Sequence, residues 1–117
     1  MWIMVSGPYS AGGADPARRA ENLAALNDAA LALLRAGHTP VVGVNMALPV
    51  VEAAGGGEAA YSEVVMPLSL ALAERCDACL RVGGPSPGAD EEAGRFRAGG
   101  RPVYRSLAEV PPPGGAG

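Results

Sequence analysis

Along the chain, short unbroken apolar runs alternate with apolar stripes at helical spacing. Trp2 to Ser6 is such a run; it ends at Gly7-Pro8 and reads as a strand buried on both faces. Ser10 to Asp15 is a loop of small residues. Asp15 then suits a helix N-cap, with Pro16 in the first turn. Leu23, Leu26, Ala30, Leu33 and Leu34 follow at helical spacing, and Gly37 closes the helix at C′. His38 to Val44 reads as a second strand. Ala47 to Ala54 fits a short helix that Gly55-Gly56-Gly57 breaks. Glu58 to Arg75 predicts a longer helix with Tyr61, Val64, Val65, Leu68 and Leu72 on one face. Pro67 falls inside it, where a kink or restart is expected. Asp77 to Gly83 is the third strand. Ser86 caps a third helix with Pro87 at N1, running to about Ala98, and Gly99-Gly100 ends it. Arg101 to Arg105 is the fourth strand, Ser106 to Val110 one further turn, and residues 111–117 a disordered tail.

Strands that alternate with helices imply right-handed βαβ units and a parallel sheet covered on both faces. Residues 1–110 make a single α/β domain on this reading. Ligands in such sheets bind beyond the carboxyl ends of the strands, at the point where strand order reverses. That rule gathers three loops: Gly7 to Asp15, Val44 onward, and Gly83 to Glu92.

Charge narrows the function. The net charge is −3, and all nine basic residues are arginine. An acidic chain lacks the basic face that neutralises phosphates along a nucleic acid. The absence of lysine excludes a P-loop and Schiff-base chemistry. No apolar run approaches the ~18 residues of a membrane span. The start of the chain has no basic segment before its apolar run, so a cytoplasmic protein is expected. Two cysteines, Cys76 and Cys79, make no disulfide framework. Their C-x-x-C spacing sits where a helix enters a strand, the reverse of a thioredoxin-type site, and four zinc ligands are lacking. No metal or cofactor is expected.

The densest chemistry lies between Gly83 and Tyr104. A strand ends in a glycine-rich turn and enters a helix through Ser86-Pro87-Gly88. Free N–H groups at such a start bind anions, above all phosphate. Asp90, Glu91 and Glu92 sit in the first two turns. Glu91 pairs with Arg95 at i+4, and a carboxylate there also complements the helix dipole. Glu92 shares a face with Ala89, Ala93 and Phe96, the face that packs on the sheet. A carboxylate there is costly unless it is used; the alternative is a solvated residue at the periphery.

The spacing Ser86-x-Gly88-Ala89-x-x-Glu92, followed by Ala93 and Gly100-Arg101-Pro102-Val103, resembles the nucleoside 2-deoxyribosyltransferase superfamily. So do Gly7-Pro8-Tyr9 after strand one and Cys76-Asp77-Ala78 entering strand three. The closest likeness is to a small uncharacterised bacterial branch, related to nucleoside 5′-monophosphate N-glycosidases. The resemblance covers Ile3 to Tyr104. It implies a flavodoxin-like, Rossmann-like three-layer sandwich with a small sheet and cleavage or transfer at an N-glycosidic bond. It implies Glu92 as the nucleophile that forms a glycosyl-enzyme. It also implies a homodimer or higher homo-oligomer, since relatives complete their pockets across a subunit interface; the apolar stretch Val64 to Leu72, more than one layer needs, puts the Tyr61 to Leu72 helix near that interface.

Other roles follow by position. Leaving-group protonation would fall to Asp90, Glu63 or Tyr9. Gly7, Tyr9, Ser86, Gly88 and Ala89 are candidate substrate contacts. The resemblance further implies that Arg18 or Arg19 holds substrate or phosphate, against a solvated first-turn reading for at least one. Asp77 is expected to cap or orient the entrance to strand three, and His38 to be structural or on the surface. The sequence departs from active relatives at two places. Ser69 stands where they carry an Asp, and Met4 where the monophosphate hydrolases carry a Tyr. These two positions favour the alternative, a non-catalytic module that binds a nucleotide on the same fold.

Overall fold

The computed structural model describes residues 1–114. Its elements are β1 (Trp2–Ser6), α1 (Pro16–Arg35), β2 (Thr39–Val41), α2 (Gly43–Ala53), α3 (Gly57–Ala73), β3 (Ala78–Arg81), α4 (Pro87–Ala98) and β4 (Val103–Tyr104). Single 3-10 turns lie at Ala11–Gly13 and Leu107–Glu109. All strand pairs are parallel, in the order β2-β1-β3-β4. The chain leaves β1 for β2 on one side, then crosses back to β3 on the other. The carboxyl ends of β1 and β3 therefore form the switch point, with Ser6 opposite Arg81.

Alternation along the strands divides the core. Ile3, Val5, Ala78 and Leu80 face α1, where they meet Leu26, Ala29 and Leu33. Met4 and Cys79 face the other side and pack with Ala73, Ala93 and Phe96 of α3 and α4. A third cluster joins α2 to α3 through Ala47, Val51, Ala60 and Val65. The result is the expected flavodoxin-like three-layer α/β fold.

Local chemistry explains the element ends. The Asp15 carboxylate accepts from the Arg18 N–H at 2.8 Å at the start of α1. Gly37 ends that helix at φ 95°, a conformation that favours glycine. The Asp77 carboxylate accepts from the Trp2 N–H at 2.8 Å and ties the entrance of β3 to β1. Arg101 fastens the end of α3: its guanidinium donates to the carbonyls of Ala73 (2.6 Å) and Cys76 (2.8 Å). It also stacks 4.2 Å from the Phe96 ring centre.

Several expectations need correction. The second strand ends at Val41, and α2 begins at Gly43 instead of Ala47. A Cβ on Gly43 would stand 2.5 Å from Ser69 Oγ, so the close approach of α2 to α3 fixes where the helix starts. Pro67 does not break α3, which runs continuously to Ala73. Pro67 and Glu63, whose carbonyl loses its helical partner, are both exposed, and solvent replaces that bond. Trp2, the first residue of the inner strand β1, is exposed, so β1 is covered on both faces only from Ile3. The apolar residues of α3 leave no surplus, because they are shared between the sheet and α2. The exposed large apolar side chains lie elsewhere, among them Leu31 and Leu34 on α1 and Met46 and Val50 on α2.

His38 is buried and structural. Its Nε2–H donates to the Pro111 carbonyl at 2.9 Å, and its Nδ1 accepts from the Met1 ammonium at 3.0 Å. The expected tail thus begins docked at Pro111, and residues 115–117 lie outside the described residues. No described helix is long and apolar enough to cross a membrane.

Candidate active site at the switch point

Three segments converge beyond β1 and β3: the β1–α1 loop, the start of α2 around Val42 to Val44, and the β3–α4 turn with the start of α4. Gly7 leaves β1 under tight packing: a Cβ there would lie 2.8 Å from both Leu26 Cδ2 and the Val82 carbonyl oxygen. Glycine lets the β1–α1 loop cross the sheet edge at this point. The chain then presents Tyr9 and Ser10. From the other side, β3 runs through Gly83, at φ 77°, into the start of α4. There the Ser86 side chain accepts from the Ala89 N–H at 3.2 Å. That cap fixes the first turn of α4 and leaves Gly88 and Ala89 on the pocket wall.

These segments enclose a cavity of about 70 Å³. Gly7, Tyr9, Ser86, Gly88, Ala89 and Glu92 all line it, so six of the residues singled out in the sequence come together. The cavity has room for a few waters. Tyr9, Ser10 and Tyr61 also line a neighbouring cleft of about 720 Å³, whose wall carries Arg19, Glu52 and Glu58. The Ser10 and Tyr61 hydroxyls hydrogen-bond at 2.9 Å where the two spaces share walls.

Among the described residues, Glu92 is the only carboxylate on the small cavity. It sits one helical turn from Ala89 and next to the buried Ala93, on the sheet side of α4. Burial pushes its pKa up. The hydroxyls of Ser6 and Ser69 and the nearby Arg81 guanidinium pull it back down, while Glu91 adds a smaller upward push. Glu92 is therefore a partly buried carboxyl group whose burial outweighs the two hydroxyls and the one cation that favour its charge. Ser6 also accepts from the Cys79 thiol at 3.5 Å.

Not every candidate belongs here. Asp90 is off the cavity and pairs with Arg81, its Oδ1 accepting from Arg81 Nε at 3.0 Å. Glu63 is exposed and also off the cavity wall. Of the three expected proton donors, Tyr9 alone reaches the site. Arg18 and Arg19 separate. Arg19 lines the larger cleft, whereas Arg18 lines a cavity of about 400 Å³ on the α1 side, with Pro8, Leu26, Val82 and Leu107. The cysteines are poor nucleophiles. Burial, with the neighbouring Asp77 charge, pushes the Cys76 thiol up to about 11, and burial also raises Cys79. Among the described residues, no group of three His, Cys, Asp or Glu side chains stands ready to hold a metal ion.

Sequence reasoning missed Ser6, Ser10, Tyr61 and Arg81. Alternation in β1 and β3 could have found two of them, since it points Ser6 and Arg81 to the same face as Met4 and Cys79. Ser69 drew attention only as a missing acid; in the structure it is buried and lines the same cavity as Glu92. In comparisons with known proteins, no family model matches the chain, and no curated protein matches it either.

Proposed function

We propose that the protein cleaves or transfers at the N-glycosidic bond of a nucleoside or nucleoside 5′-monophosphate, with Glu92 as the nucleophile. The observation that carries this reading is the Glu92 carboxyl group, mostly buried, at the switch point, with two hydroxyls against it and the α4 amino terminus on the same cavity wall. The resemblance of the Ser86 to Glu92 segment to the deoxyribosyltransferase superfamily supports it.

The chemistry follows from the donor set. The carboxylate attacks the anomeric carbon, and the bond to the base nitrogen breaks with its electron pair leaving on the base. Tyr9, on the cavity wall, is the group positioned to deliver the proton that the departing base needs. Water or a second base then takes the sugar from Glu92 and regenerates the carboxylate. The small cavity receives the sugar carbon. The adjoining cleft, with Arg19 on its wall, receives the bulk of the substrate. The Gly88 N–H, next to the Ala89 N–H that the Ser86 cap already takes, suits an anionic substituent.

A second reading is a nucleotide-binding module without turnover. Ser69 in place of an acid favours it, and so does burial, which moves Glu92 towards its protonated, non-nucleophilic form. Incubation with nucleosides and nucleoside 5′-monophosphates, with chromatography for free base, separates the two. Release that Glu92→Ala abolishes supports the first; saturable binding without release supports the second. A homo-oligomer in the cytoplasm belongs to the same reading, with the Tyr61 to Leu72 helix near its interface and the exposed Met46 and Val50 of α2 as further apolar contact. A monomer in light scattering at micromolar concentration overturns that assembly.

A further inference from the structure

Arg81 ends β3, directly opposite Ser6 in the sheet. Alternation turns its side chain to the α3/α4 face, beneath the β3–α4 turn. The side chain is 9% exposed, and a guanidinium so enclosed needs acceptors for its five N–H groups. Three acceptors come from the turn and from the first turn of α4. Nε donates to Asp90 Oδ1 at 3.0 Å, one terminal nitrogen to the Val82 carbonyl at 2.5 Å, and the other to the Gly84 carbonyl at 2.8 Å. Gly83, Gly84 and Pro85 make no backbone-to-backbone hydrogen bond of their own among the described residues. The turn that delivers the chain from the sheet to the site is thus fastened by one side chain.

We propose that Arg81 is a positioning residue of the Glu92 site, holding the β3–α4 turn, and through it the start of α4, so that Ser86, Gly88 and Ala89 face the cavity. This rests on the reading of that cavity as the functional site. The same cation lies near enough to Glu92 to favour its charged form. The groups that face Glu92 are Ser6 from β1, Ser69 from α3, Arg81 and Cys79 from β3, and Glu91 from its own helix. Arg81 is the one cation among them. Its ion pair is lopsided, because the Asp90 side chain is 67% exposed and solvent screens that end. Lysine cannot replace arginine here, since an ammonium lacks the planar fork that spans two carbonyls and a carboxylate.

The test uses the whole protein and no turnover. The carboxyl carbon of Glu92 is followed by NMR through a pH titration in the wild type, Arg81→Gln and Arg81→Lys. The amides of Gly83, Gly84, Gly88 and Ala89 are followed with added inorganic phosphate. In Arg81→Gln, the Glu92 midpoint is expected to move up, the glycine amides to shift, and phosphate affinity to fall about tenfold or more. Arg81→Lys should return the Glu92 midpoint most of the way while the glycine amides stay displaced. Should Arg81→Gln fail to fold by circular dichroism, Arg81→Lys alone decides through the glycine amides and phosphate affinity. Unmoved amides and unchanged phosphate affinity in a folded variant overturn the proposal. A wild type that releases no base, together with these shifts, overturns the glycosidic reading and leaves the Arg81 assignment standing.

Discussion

Two helices of this protein begin with the same local grammar and open onto different surroundings. At α1, Asp15 precedes Pro16 and caps the Arg18 N–H. At α4, Ser86 precedes Pro87 and caps the Ala89 N–H. Both starts point towards the carboxyl side of the sheet. Asp15 is exposed, and its helix start faces solvent, whereas Ser86 is buried and lines the Glu92 cavity. The cap motif therefore specifies where a helix begins, and topology decides whether that beginning is a site. The crossover from β1 to β2 carries α1 away from the crevice, while β3 delivers α4 into it.

The widest separation between the two helices is expected in activity. Glu92→Ala should abolish base release from any nucleoside or monophosphate that the wild type cleaves. Full activity in that variant, read by chromatography, removes the nucleophile assignment. Activity should also fall on the acid side at a higher pH than an ordinary glutamate would give, since Glu92 must be ionised to attack and its pKa is raised.

Stability carries the opposite sign. A carboxyl group whose folded pKa lies above its unfolded value favours the fold most below the unfolded value. That advantage is lost as pH rises through the folded pKa. Glu92→Gln should accordingly melt at a higher temperature than the wild type at pH 7, with the gap narrowing towards pH 4. A gap that stays constant across that range would show that Glu92 does not titrate in the fold as described.

Next come the caps themselves. Asp15→Ala and Ser86→Ala each remove one side-chain acceptor from a helix start, and each should cost ~1 kcal/mol in a denaturant titration. Only Ser86→Ala should also weaken phosphate binding. Equal phosphate affinity in the two variants would erase the distinction between the helices. The smallest effect belongs to Glu91→Ala. Its carboxylate lies 3.9 Å from Arg95 with both side chains about half exposed, so the loss should be ~0.2–0.5 kcal/mol with activity retained.

Much of this was legible before the fold was seen. The Asp15 and Ser86 caps, the first and third strands and the convergence of Gly7, Tyr9, Ser86 and Glu92 all follow from local pattern plus the switch-point rule. What escaped depended on contacts distant in sequence. The run from His38 to Val44 reads as extended because Thr39, Val41, Val42 and Val44 are β-branched, yet Gly43 turns into a helix where α2 meets Ser69. Propensity yields there to packing. Arg18 and Arg19 are adjacent in sequence, and only the helix rotation sends them to different cavities. Nothing in the sequence marks Arg81 within the third strand, because its acceptors are the Asp90 carboxylate and two carbonyls of the following turn, which only the fold brings to it.

The hydroxyl pair Ser10 and Tyr61 has a consequence for rates. The two side chains meet where the small cavity and the large cleft share walls, so a ligand that occupies both spaces lies against the pair. Breaking a single hydrogen bond between a loop and a helix is a fast local event. Tyr61→Phe keeps the ring and removes that bond. Exchange of a ligand that spans both spaces should then quicken in both directions, with the ratio of the two rates little changed, as relaxation kinetics would read directly.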